Sequence, residues 1–120
     1  MKYLLMIHVN PTLLESLSEE ERNAIFGAHD EFQTQTTASG ELVGFAALAD
    51  PSNTKTVRVR DGAPAVTDGP YVEAKEFLAG YYVVDCDSVE RASDLASQIP
   101  DARYTAIEVR PLMNAGGEEM

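Results

Sequence analysis

The sequence predicts an α+β domain: a split βαβ arrangement with a four-stranded antiparallel sheet, two helices on one of its faces, and a small hairpin inserted. Three observations carry this expectation. Apolar residues recur with strand and helix periods in the order β-α-β-(β-β hairpin)-β-α-β, and Asp-Gly and Asp-Gly-Pro turns delimit the two middle strands. The last strand alternates, with Tyr104, Ala106, Glu108 and Arg110 on one face and Thr105, Ile107 and Val109 on the other. Only the second set suits a face covered by helices.

The elements follow in order. Lys2 to Val9 is a nearly unbroken apolar run, the pattern of a central strand, with His8 sharing the face of Leu4 and Met6. Asn10-Pro11 is read as its end. Ser18 followed by Glu21 is a capping box, so a helix is expected from Glu19 to Ala38, with Ile25, Phe26, His29 and Phe32 on or beside its buried stripe. Ser39-Gly40 stops it, and Glu41 to Leu48 reads as the second strand. Lys55 to Arg60 places Val57 and Val59 opposite Arg58 and Arg60, and Asp61-Gly62 turns it back into a strand from Ala63 to Thr67. Phe77 to Val84 is the second strongly apolar strand. Ser88 caps a helix bearing Val89, Ala92, Leu95, Ala96 and Ile99, and Arg103 to Arg110 is the last strand. We expect one domain over residues 1–112 and a frayed Gly- and Glu-rich tail over 113–120.

Composition narrows the function classes. The chain has 120 residues, a net charge of −11 and a single cysteine. That charge opposes phosphate backbones, so direct nucleic-acid or anionic-membrane binding is not expected. No apolar run is long enough to cross a bilayer, no signal-peptide pattern opens the chain, and one cysteine suits a reducing compartment, so a cytoplasmic protein is expected. Two distant histidines and Cys86 lack metal-ligand spacing, and there is no Gly-rich phosphate loop. No metal or cofactor is therefore expected. A sheet face left open by the helices would expose apolar groups, and a homodimer joining two such faces is the expected remedy.

Chemistry-bearing residues crowd between Asp68 and Phe77. Asp68-Gly69-Pro70-Tyr71 is turn chemistry, but Glu73, Lys75 and Glu76 follow at once, more polar variety than a turn needs. With Gly80-Tyr81-Tyr82 and the closing Glu108-Val109-Arg110-Pro111, this stretch resembles the YCII-related family in its DGPF-domain branch, with Tyr71 where the family has Phe. The resemblance spans Lys2 to Pro111. It implies a ferredoxin-like fold dimerising as an α+β barrel. It also implies kinship with muconolactone isomerases and a chloromuconolactone dehalogenase, and association with extracytoplasmic-function sigma factors.

Two function classes result. In the first, a cofactor-free enzyme moves protons on a small lactone-like or anionic organic substrate. The relatives' helix histidine matches His29. The resemblance does not name its carboxylate partner, for which Asp68 is a better candidate than Asp30, which points about 100° away on the helix. Tyr71, Glu73, Lys75, Glu108 and Arg110 are the candidate substrate contacts. In the second, the chain is a non-catalytic small-ligand or protein-binding module in transcription regulation, and the Asp-Gly-Pro-Tyr loop is structural or a docking surface.

Overall fold

The computed structural model describes residues 1–117, so the last three positions of the expected tail lie outside the described residues. Four strands form the main sheet: β1 (Lys2–Val9), β2 (Leu42–Ala47), β5 (Phe77–Asp85) and β6 (Ala106–Pro111), in the order β2-β5-β1-β6 with every pairing antiparallel. The helices α2 (Glu19–Ala38) and α3 (Val89–Ser97) supply the expected pair, and the α+β class and sheet order agree with the split βαβ reading. Burial alternates strictly along β1: Tyr3, Leu5, Ile7 and Val9 are buried, whereas Leu4, Met6 and His8 are only partly so. The buried set joins Tyr82, Val84, Phe32, Leu95 and Ile99 in one core between sheet and helices. Cys86 belongs to that core, and burial pushes its thiol pKa up, away from reactivity.

Both ends of the long helix are built as their sequence requires. Ser18 Oγ accepts from Glu21 N (3.1 Å) and the Glu21 carboxylate accepts from Ser18 N (3.1 Å), closing the capping box. Gly40 leaves the helix at φ 78°, where a side chain would be strained. Yet of twenty residues in α2 only Phe32 and Thr36 are buried. The expected stripe is buried at its C-terminal half alone. Towards the N-terminus, Ile25, Phe26 and His29 face a groove instead of closed core.

Asn10-Pro11 ends β1 at Val9 as expected, and it also starts a short helix that the sequence reading did not place, α1 (Pro11–Ser16): Asn10 Oδ1 accepts from the amides of Thr12 and Leu13, and proline at the first helical position gives up no needed hydrogen bond. The last strand begins at Ala106, not Arg103, because Pro100–Arg103 coils into a 3₁₀ turn closed by the amides of Tyr104 and Thr105 on Asp101 O. Tyr104 therefore lies outside the strand.

The inserted hairpin stands apart. Strands β3 (Lys55–Arg60) and β4 (Ala63–Asp68) pair only with each other, and the ribbon turns at Asp61 and Gly62 with φ of 52° and 76°, the two positive values a tight hairpin needs. Every residue of β4 is exposed. The radius of gyration is 16.3 Å, against about 14 Å for a compact chain of this length.

One ion-pair cluster ties sheet to helix. Arg91 on α3 donates from Nε and Nη2 to the two oxygens of Glu41 (2.9 and 2.8 Å) and from Nη1 to Asp94 (2.7 Å). The Arg91 fork, joined by the Ser39 hydroxyl, holds the Glu41 carboxyl below its ordinary 4.5. The folded state thus binds this proton less readily than the unfolded chain. The stabilisation is complete above the unfolded value and is lost as pH falls through the lower folded-state one. Acid titration of thermal stability should therefore show a loss below about pH 4.5 that Glu41→Gln flattens.

Candidate active site

A groove of about 640 Å³ opens where the N-terminal half of α2 stands off the sheet. Its walls are mostly apolar, with Ile25, Phe26, Phe45, Leu48 and Phe77 among them. Its floor holds a chain of hydrogen-bonded polar groups. Gln33 Nε2 donates to Tyr82 Oη at 3.0 Å, Tyr82 Oη lies 2.8 Å from His29 Nδ1, and His29 Nε2 lies 2.6 Å from Asp101 Oδ1. Tyr82 is only 2% exposed and Asp101 8%.

Each member has a local reason to be there. Tyr82 sits on β5 opposite Leu5, on the helix-covered face, while its neighbour Tyr81 pairs with Met6 on the open face. Phe32 meets the Tyr82 ring edge-on at 4.7 Å and Phe45 tilts against it at 5.6 Å, so the phenol cannot swing away. His29 and Gln33 are one helical turn apart and project together. Asp101 is brought in by the 3₁₀ turn after α3, whose Ile99 and Pro100 are buried. Next to the floor, β5 carries a bulge: the register jumps from Ile7–Gly80 to His8–Leu78, and Ala79 and Gly80 line the groove.

The bonding pattern assigns the protons. A carboxylate only accepts, so His29 Nε2 carries the hydrogen directed at Asp101. In the neutral ring Nδ1 is then an acceptor, and it takes the Tyr82 O–H. Burial, with the charges of Asp101 and Asp30, raises the Tyr82 pKa against the Gln33 hydrogen bond that lowers it, keeping the phenol protonated. Chemically, a proton reaching the phenol oxygen can pass to Nδ1, and the imidazolium so formed faces a buried carboxylate. Arg22 also lines the groove, its Nη2 donating to the carbonyls of Leu14 (3.1 Å) and Glu15 (3.4 Å).

The other sequence-singled residues lie elsewhere. Asp68 is not the carboxylate on His29; it pairs with Lys55 across the base of the ribbon and is exposed. Tyr71 is 74% exposed and lies under the Arg58 guanidinium, 5.2 Å from carbon to ring centroid. Glu73 lines a second, larger cleft of about 820 Å³ with His8, Asp50, Pro70, Glu76 and Leu78. Lys75 is exposed and lines neither cavity. Glu108 contacts His8 Nε2, and Arg110 stands opposite Leu4, both on the open sheet face. Sequence reasoning missed Asp101, Tyr82's role and Gln33. The spacing of Gln33 from His29 was the one signal available; Asp101 follows 72 positions later and had none.

Comparison with known proteins adds the family. A model described as the YCII-related domain matches residues 1–115. The chain belongs to the YCII-related family. An uncharacterized protein of Rhizobium meliloti (strain 1021) is 31% identical to this YCII-related chain over 114 residues, covering 93% of it and 92% of the relative. Among the described residues of this YCII-related protein, no group of three or more His, Cys, Asp or Glu is placed to hold a metal ion, and no helix is long and apolar enough to cross a membrane.

Proposed function

We propose that this YCII-related protein is a cofactor-free acid–base enzyme acting on a small, largely apolar organic molecule of lactone-like character. The observation that carries the reading is the Tyr82–His29–Asp101 chain at the floor of an apolar groove. Both ring nitrogens of His29 are engaged, so the group that meets substrate is Tyr82, whose oxygen has a lone pair left after donating to His29 and accepting from Gln33. In the forward step a substrate proton goes to the Tyr82 oxygen while the phenol proton moves to Nδ1. The substrate's electron pair shifts within the substrate, and Asp101 balances the imidazolium. The return step delivers a proton to another substrate atom, so the cycle is an isomerisation with no redox partner. Arg22, beside the apolar wall, suits a substrate carboxylate.

The test is proton exchange in D₂O on a panel of small unsaturated lactones and their ring-opened acids, followed by NMR. The wild type is expected to exchange an acidic C–H of at least one member. His29→Gln and Tyr82→Phe should each reduce that rate by about 10²-fold or more. Exchange that persists in both variants would sink the reading. The exposed ribbon favours a second reading, a non-catalytic binding module in a regulatory setting, which gains if no panel member exchanges or binds.

We further propose a homodimer in which open sheet faces meet. Leu4, Met6, Leu78 and Tyr81 lie on the face that carries no helix and are only partly buried in the single chain.

A further inference from the structure

The β3–β4 ribbon has two unlike faces. Register places Val57 opposite Val66 and Val59 opposite Pro64 on one of them, while Arg58 and Arg60 lie on the other. The three valines are 61%, 59% and 63% exposed. A lone two-stranded ribbon is marginal in water, and here β3 and β4 form a sheet of their own with the valine face largely exposed. The ribbon also carries Lys55, Arg58 and Arg60, a third of the nine Lys and Arg residues of a chain with net charge −11. At its root lies the 820 Å³ cleft, whose lining is the complement: Pro70, Val72 and Phe77 beside Asp50, Glu73 and Glu76. That cleft runs onto the open sheet face at His8 and Leu78.

We propose that the ribbon is an arm exchanged between two copies of this chain, each inserted edge-on into the other's cleft, so that its valine face meets the apolar side of the lining and its arginine face meets the cleft carboxylates. The proposal rests on the dimer reading above and adds to it. Six residues of extended strand reach roughly 20 Å, enough to cross a two-fold axis beside the ribbon roots. A two-fold contact is self-complementary, and an apolar, basic arm next to an apolar, acidic cleft is such a surface. The exchange would cover both the valines and the cleft that the Asp68–Phe77 segment walls. It gives Glu73 and Glu76 a partner, the arginines of the second copy.

A charge-swap experiment on the full chain tests this. Arg58→Glu with Arg60→Glu, and separately Glu73→Lys with Glu76→Lys, should each raise the dimer Kd about 100-fold by setting like charges against each other. An equimolar mixture should restore a dimer, because each arm then meets a cleft of opposite sign. Val57→Asp with Val66→Asp should dissociate the dimer with no partner variant to rescue it. Five of the six side chains are exposed in the single chain and Arg58 is half-buried over the exposed Tyr71 ring, so circular dichroism should show the fold retained. Wild-type protein that scatters as a monomer at micromolar concentration would overturn the dimer and the arm together. A dimer that survives both charge variants, or a mixture that fails to recover, would overturn the arm and leave a sheet-to-sheet dimer standing.

Discussion

Gly80→Ala is expected to destabilise the protein by about 3 kcal/mol, lowering the melting temperature by roughly 10 °C. A Cβ built at position 80 would sit 2.6 Å from the carbonyl oxygen of Ala46 and 3.3 Å from Ala47 Cα. Both are backbone atoms of the neighbouring strand, held by the β2–β5 pairing, so no rotamer change relieves the contact. Either the strands part, losing ladder bonds, or β5 shifts and carries Tyr82 with it. Gly27→Ala makes an internal control of opposite sign. Its Cβ meets nothing within 4 Å, and alanine favours a helix interior, so a gain of about 0.5–1 kcal/mol is expected. Differential scanning calorimetry on the two variants checks both directions. A melting temperature unchanged by Gly80→Ala would contradict the close approach of β2 to β5.

Under the proposed acid–base reading, Asp101→Asn is expected to cut turnover by about 10³-fold while costing only about 1 kcal/mol of stability. Asparagine keeps the size and a hydrogen bond to His29 Nε2 but has no charge to balance an imidazolium. Its amide can also donate, which turns Nε2 into the acceptor and forces the hydrogen onto Nδ1, where it meets the phenol oxygen. Nitrogen-15 NMR of the imidazole reads this without a substrate. The wild type should show the hydrogen on Nε2, and the variant a shift toward Nδ1. A wild-type spectrum with the hydrogen on Nδ1 would refute the proton assignment on which the relay depends. Asp68→Asn is the comparison: its carboxylate sits on Lys55, so the His29 tautomer should not respond.

Residues close in sequence predicted their own geometry well. Ser18 and Glu21 cap the helix they announce, Asp61-Gly62 makes the positive-φ turn, and the alternation in β1 divides buried from half-buried side chains as the two-residue period requires. These outcomes depend on φ, ψ and neighbours a few positions away, which the sequence states directly. Asn10-Pro11 shows the limit of such reasoning. Here the pair ends β1 and caps α1 together, and the helix that follows was not read from the turn signal alone.

The composition of the site was decided by the fold. His29 was legible as a candidate, but its carboxylate was sought in Asp68, in the most polar stretch of the chain. The ribbon carries that residue outward to Lys55, whereas an inconspicuous 3₁₀ turn between α3 and β6 delivers Asp101. Tyr81 and Tyr82 could be assigned to opposite faces by period alone. Which face received the groove depended on the capped end of α2 standing away from the sheet and leaving Ile25, Phe26 and His29 uncovered. A hydrophobic stripe specifies that a helix face meets apolar surroundings. It does not specify whether those surroundings are core or the wall of a cavity, because that depends on the distance between two elements far apart in the chain.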